Sequence, residues 1–146
     1  MSDSVPDFRE DGYLPYGLYP VSLAEVISRF GGGSPQRRYL CLRLKRWVQL
    51  AKSVRAKRLF VNGSFVTSKS APNDIDAVIL LPDDFGDMVQ SGDDDALMLE
   101  YMLLTRQPEE IFAAEDEQDW LDWLDFFHQT REEDSHEKGL IEVLYD

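Results

Sequence analysis

Four residues between positions 63 and 76 have the types and spacing of a site that handles phosphate and a divalent cation. Gly63 and Ser64 follow a short apolar run, and Asp74 and Asp76 stand one residue apart at the start of a longer one. Residues two apart in a strand project to the same side, so we expect the two carboxylates to share one face. Such a pair repels itself unless a cation lies between, and Mg²⁺ or Mn²⁺ prefers these oxygen ligands. The pattern predicts a divalent-cation site at Asp74 and Asp76.

The same segment carries groups that suit a phosphate. Gly63 has no side chain, so a bulky anionic ligand can approach the backbone there. Ser64 offers a hydroxyl and an amide that opens a helical turn, where exposed N–H groups attract phosphate. Lys69, in the connecting loop, adds positive charge nearby. The alternative interpretation of each part is structural: a Gly-Ser turn between strands, and two solvated acids beside a loop.

Composition narrows the class of protein. The chain has 146 residues, of which 43% are hydrophobic, which is the size and composition of one folded domain. No stretch approaches the roughly 20 apolar residues of a membrane span, and the acidic N-terminus lacks the apolar core of a secretory signal. We therefore expect a cytoplasmic protein without membrane contact. The single cysteine, Cys41, argues against a disulfide scaffold or thiolate metal site and is expected to pack among apolar neighbours.

Charge is unevenly distributed along the chain. The net charge is −13, yet nine of the fifteen basic residues lie between positions 37 and 58, where there is no acid. Positions 83–146 hold 21 acids against three bases. These opposite fields can steer a partner or hold the two halves together, although most such charges are solvated helix faces. An acidic surface repels nucleic acid, so RNA or an acidic partner would have to meet the basic segment.

Capping pairs and apolar periodicity predict four helices. Ser22 with Glu25 three residues later is a reciprocal capping pattern, and Ser34 before Pro35 is a cap followed by a first-turn proline. The predicted helices run from about 22 to 30, 34 to 54, 95 to 105 and 120 to 130. Three glycines at 31–33 end the first of them, and the last buries a wide aromatic face.

Apolar runs predict the strands. They cover about 59–61, 74–81 and 139–145, while residues 109–114 fit either a short strand or the first turn of a helix. Residues 83–95 are expected to form a polar connection, and residues 1–20 an extended N-terminal segment. Alternating strands and helices indicate an α/β or α+β fold, with helices packed on a small mixed sheet in one domain over residues 1–146.

The spacing of the candidate residues resembles a known signature. Gly63-Ser64, nine intervening residues, then Asp74-Ile75-Asp76 in a hydrophobic strand is similar to the hG[GS] and Dh[DE]h pattern of the polymerase-β-like nucleotidyltransferase superfamily. The sequence on either side of this motif also resembles a family of small uncharacterised bacterial and phage proteins that carry this domain. The resemblance covers most of the chain, and the segment 59–81 is its specific part.

That resemblance implies a metal-dependent transfer of a nucleoside monophosphate from an NTP, such as ATP, to an acceptor. Asp74 and Asp76 would hold Mg²⁺ or Mn²⁺, and Gly63 and Ser64, with Lys69 near them, would bind the triphosphate. Active members add a third carboxylate on the next strand, for which Glu110 is the first candidate and Glu142 the second. Glu110 is also explained as a helix-start acid. The acceptor would be a protein, a tRNA or a small molecule.

Other interpretations of the chain remain open. A catalytically reduced copy of the same fold would bind a nucleotide or a partner protein, for example as half of a toxin and antitoxin pair. A third possibility is an acidic decoy that presents its C-terminal charge to a basic partner. His128 and His136 lack the spacing of zinc ligands. The aromatic residues between 120 and 127 are expected to be core, not a base-stacking surface.

Overall fold

The computed structural model describes residues 5–105, 110–130 and 137–145. Five strands and five α-helices lie within these ranges. The strands are β1 (Gly17–Ser22), β2 (Arg58–Asn62), β3 (Asp76–Leu80), β4 (Ile111–Ala114) and β5 (Gly139–Leu144). The helices are α1 (Leu23–Phe30), α2 (Pro35–Ser53), α3 (Phe85–Gln90), α4 (Asp94–Thr105) and α5 (Glu117–Phe127), with a short 3₁₀ turn at Ser64–Val66.

All five strands join one mixed sheet in the order β1-β5-β2-β3-β4. β1 runs parallel to β5 and β3 parallel to β4, whereas β2 is antiparallel to both of its neighbours. Helices and strands therefore form the α+β fold that the sequence predicts.

Side chains on the two faces of the sheet enter two separate cores, because alternate residues of a strand point to opposite faces. Val61 of β2 packs in the larger core with α1, α2 and α4, and its neighbour Phe60 packs in the smaller one under α5. Trp120 and Phe127 of α5 stack edge-on against Phe60. The aromatic face predicted for this helix is thus core, although Phe126 remains 66% exposed.

The starts of the first two predicted helices are confirmed in atomic detail, whereas the last predicted helix, expected at about 120–130, begins and ends three residues earlier as α5 (Glu117–Phe127). The hydroxyl of Ser22 accepts a hydrogen bond from the Glu25 amide at 3.2 Å, and that of Ser34 accepts one from the Arg37 amide at 3.2 Å. Cys41, on α2, is buried, and burial raises the pKa of its thiol. It packs as the sequence predicts.

Three local expectations were wrong. Residues 17–20, expected to belong to a loose N-terminal segment, begin β1; as an edge strand β1 tolerates Pro20, which cannot donate to a second neighbour. The expected polar connection at 83–95 contains α3, whose apolar residues pack on the larger core. The run at 74–81 becomes a strand only at Asp76, so Asp74 lies in the preceding loop.

Residues 109–114, which the sequence left open between strand and helix, include strand β4. The pairing of Ala77 with Ile111 sets its register beside β3. Glu110 therefore precedes a strand, and its explanation as a helix-start acid was wrong.

Candidate functional site

A cavity of about 360 Å³ lies where β2 ends and β3 begins. Its walls come from the segment before β1, the loop between β2 and β3, and the approach to β5. Five predicted site residues line it together: Gly63, Ser64, Lys69, Asp74 and Asp76. The other lining residues are Asp11, Gly12, Tyr13, Asn62, Thr67, Ser68 and Lys138.

Gly63 makes the sharp turn at the end of β2. Its φ is +98°, a left-handed conformation that favours glycine. A Cβ at this position would lie 2.9 Å from the Asp74 carbonyl oxygen and 3.1 Å from the Asp74 Oδ2. Glycine is required both by the backbone conformation and by the close approach of Asp74.

Ser64 is tied to Asp74. Its amide donates to Asp74 Oδ1 at 3.0 Å and its hydroxyl donates to the same oxygen at 2.5 Å. The hydroxyl oxygen also accepts from the amides of Asn73, at 3.0 Å, and Asp74, at 3.2 Å. The two donors that the sequence assigned to a phosphate are directed at the Asp74 carboxylate.

Asn62 and Asp76 are direct cross-strand partners and were not recognised as a pair from the sequence. They are only 4% and 2% exposed. Directly opposite residues of an antiparallel pair share a face, with Cβ atoms about 5 Å apart. Asn62 Oδ1 is buried and has no hydrogen-bond partner among the residues that the structure describes. The register of β2 with β3, which no local pattern reveals, brings both residues to the wall of the cavity.

The two candidate third carboxylates lie in different places. The Glu110 carbonyl accepts a hydrogen bond from the Ala77 amide at 3.0 Å, so Glu110 lies next to Asp76 along the sheet. Its side chain is exposed, and it is not among the cavity-lining residues. Glu142 is held in a two-bond ion pair with Arg58, at 2.7 and 2.8 Å. Hydrogen bonding to Glu142 raises the pKa of Arg58, so Glu142 is engaged structurally.

The described residues contain no group of three or more His, Cys, Asp or Glu side chains that could by itself hold a metal ion. Asp74, Asp76 and Asn62, whose side chains carry carboxylate and amide oxygens, nevertheless line one cavity. These are the hard oxygen donors that Mg²⁺ uses together with water and substrate phosphates.

Arg37 holds the loop that follows the glycine turn, and sequence reasoning did not single it out. Its guanidinium donates to four backbone carbonyls, those of Phe30, Phe65, Thr67 and Lys69, at 2.6–3.1 Å. The residue is 8% exposed, and burial lowers the pKa of its guanidinium. Only its position at the start of a helix rich in exposed bases could have drawn attention to it.

Two lysines provide positive charge at the cavity. Lys69 is exposed in the loop, as expected. Lys138, which sequence reasoning missed, is 8% exposed, and its Nζ lies 5.5 Å from the centre of the Tyr13 ring. Its amide donates to the His128 carbonyl at 2.7 Å, and His128 Nδ1 lies 2.8 Å from the Lys138 carbonyl. His128 thus supports the lysine backbone, while His136 lies outside the described residues.

Comparison with known proteins places the chain in one family. Residues 6–144 match the family model described as a family of unknown function, DUF6932, and the chain belongs to that family. No curated protein and no solved structure gave a match. Among the described helices, none has the length and apolar character needed to cross a membrane.

Proposed function

We propose that the protein is a metal-dependent nucleotidyltransferase, which moves a nucleoside monophosphate from an NTP to an acceptor and releases pyrophosphate. The observation that carries the proposal is a single cavity lined by the Gly63 turn, the carboxylates of Asp74 and Asp76, and two lysines. Anionic oxygens and lysines together suit a triphosphate bound with a cation.

Asp76, Asn62 and Asp74 are the residues that would hold the cation. The buried Asn62 Oδ1, without a hydrogen-bond partner in the described part of the chain, supports a ligand at this point, because an unpaired buried acceptor costs about 1–3 kcal/mol. A bound Mg²⁺ would neutralise the charge that develops on the reacting phosphate oxygens.

The other residues position the substrate and the carboxylates. Ser64 fixes Asp74 through two hydrogen bonds to one oxygen, leaving Oδ2 on the Gly63 side. Gly63 keeps that side clear of a Cβ. Lys69 and Lys138 neutralise the triphosphate, and the buried position of Lys138 lowers the conformational freedom lost when it binds.

Chemistry at the α-phosphorus needs a group that takes the acceptor proton. The acceptor oxygen forms a bond to the α-phosphorus, the α–β phosphoanhydride bond breaks, and pyrophosphate leaves. Glu110, next to Asp76 in sheet register, is the proposed proton acceptor. The acceptor is a protein, a tRNA or a small molecule. It reaches the exposed side chain of Glu110 from the solvent.

A nucleotide- or partner-binding role is the second candidate, for example as a component of a toxin and antitoxin pair. The exposed Glu110 outside the cavity lining favours it, because a fold without a third carboxylate would bind a nucleotide without transferring it.

Transfer of label from NTPs radiolabelled at the α-phosphate separates the two candidates. The purified protein is incubated with each NTP, Mg²⁺ or Mn²⁺, and cell extract as the source of acceptors. If the protein is a nucleotidyltransferase, label should appear on a macromolecule or a small product. The double variant Asp74→Ala plus Asp76→Ala should abolish this transfer, and the exposed control Asp83→Ala should retain it. Thermal stabilisation by NTP without transfer supports the binding protein. If neither occurs, nucleotides are not the ligand.

A further inference from the structure

A second groove, of about 640 Å³, lies at the other end of β3, beyond Leu81, and is lined by residues of α3, α4 and the edge strand β4. Leu81, Phe85 and Leu103 contribute apolar surface to it, and Glu100 and Glu115 contribute negative charge. Neither glutamate forms an ion pair within the described part of the chain. The groove therefore presents apolar surface beside acids that have no ion-pair partner among residues 5–105, 110–130 and 137–145.

Exposed apolar side chains of α4 extend this surface. Leu97, Met98, Tyr101 and Leu104 are 41%, 42%, 62% and 77% exposed. Leu97, Tyr101 and Leu104 are spaced four and three apart, so they form one helix face. A contiguous apolar patch beside acids is typical of a protein-binding surface. The matching partner is an amphipathic element that combines apolar and basic side chains.

Helix α2 of the same chain has an exposed face that combines apolar and basic side chains. Arg38, Leu42, Lys45 and Lys52 follow helical spacing and are all exposed, as is Tyr39. Tyr39 and Leu42 are 59% and 63% exposed although they lie among bases. None of the three bases has an ion pair within the described ranges. From Arg38 to Lys52 the stripe is about 21 Å long, at 1.5 Å per helical residue.

We propose that the acidic groove of one molecule binds the basic face of α2 from a second copy. The contact brings Glu100 and Glu115 against Arg38 and Lys45 and covers Tyr39 and the exposed face of α4. Because groove and helix are different surfaces, the contact is head to tail, and it closes into a ring or continues as a chain. It is the helix-in-groove mode of recognition. It needs nothing from the proposed transfer chemistry.

Charge reversal tests this contact more sharply than salt does, because salt also screens the repulsion between two copies of net charge −13. The groove variant is Glu100→Lys plus Glu115→Lys, and the helix variant is Arg38→Glu plus Lys45→Glu. Asp122→Lys plus Asp125→Lys, at exposed acids of α5 that do not line the groove, is the charge-matched control. Association is followed by sedimentation velocity up to protein concentrations of about 1 mM.

Wild type and control should associate with concentration, while each reversed variant alone should associate at least about tenfold more weakly, since like charges meet at the contact. Mixing the two variants, or combining all four changes in one chain, should restore association. A wild type that stays monomeric throughout would overturn the proposal, and so would reversals without effect or a mixture that does not associate. Binding of a peptide of residues 34–54 by a monomeric protein would also overturn it and assign the groove to another protein's helix.

Discussion

One oxygen of Asp74 accepts two hydrogen bonds from Ser64, from its amide at 3.0 Å and from its hydroxyl at 2.5 Å. The carboxylate is thereby fixed against the glycine turn. The oxygen of the same hydroxyl accepts hydrogen bonds from the backbone amides of Asn73 and Asp74, so one small side chain holds together the loop between β2 and β3. The loop between β2 and β3 is therefore organised around Ser64.

Removing this hydroxyl should destabilise the protein. We expect Ser64→Ala to lower the free energy of unfolding by about 1–3 kcal/mol, the range for a lost hydrogen bond to a charged group plus unsatisfied partners. The measurement is urea unfolding followed by circular dichroism. Ser70→Ala, in the same loop at an exposed serine, should change stability by less than about 0.5 kcal/mol. Equal effects of the two changes would contradict the role given to Ser64.

Gly63 should not tolerate alanine. Gly63→Ala combines a left-handed φ of +98° with a Cβ placed 2.9 Å from the Asp74 carbonyl oxygen. Gly33→Ala is the matched control, because its φ is +97° and nothing lies within 4 Å of the added Cβ. We expect about 1–2 kcal/mol of destabilisation from the backbone conformation alone at Gly33 and a larger loss at Gly63. Equal losses in urea unfolding would show that Asp74 does not crowd the turn.

The guanidinium of Arg37 should be irreplaceable by lysine. An ammonium has no planar fork that can reach four carbonyls, so Arg37→Lys leaves buried acceptors unpaired. We expect a loss of more than about 2 kcal/mol in unfolding free energy and faster hydrogen exchange at the amides of residues 65–69. Arg38→Lys, at the exposed neighbour, should do neither. Unchanged exchange in Arg37→Lys would contradict the assignment.

Tyr145 should make stability depend on alkaline pH. Its hydroxyl donates to the Ala56 carbonyl at 2.8 Å, and burial together with the charge of Glu142 raises its pKa to about 12. Because the folded pKa exceeds the unfolded value near 10, the contribution to stability is complete below about pH 10 and is lost as the pH rises through about 12. Urea unfolding between these limits should show a steeper loss for wild type than for Tyr145→Phe. Parallel losses would show that Tyr145 ionises normally.

Much of the fold could be predicted because its signals are local. Ser22 and Ser34 cap helices in the folded protein as their sequence patterns indicate, and the apolar run after Asp76 is a buried strand. β1 was missed because its short, proline-containing sequence gains strand character only by pairing with β5. α3 was missed because its six residues are helical through contacts with the larger core.

The site was predictable as far as it lies within one segment. Gly63, Ser64, Lys69, Asp74 and Asp76 were found from their types and spacing, and they line the cavity together. Asn62 joins them through the register of β2 with β3, and Lys138 through the approach to β5, while Arg37 supports the loop by its reach from α2. These are long-range relationships, which a local pattern does not contain.

The central claim is that this cavity holds a divalent cation together with a nucleoside triphosphate. Electron paramagnetic resonance of Mn²⁺, titrated with protein and a non-hydrolysable NTP analogue, measures it most directly. We predict that wild type immobilises Mn²⁺ in the presence of the analogue, that Asp76→Asn abolishes this, and that the exposed control Asp83→Asn leaves it intact. If the Mn²⁺ spectrum recorded with analogue and wild-type protein is the same as the spectrum recorded with analogue alone, the claim is contradicted.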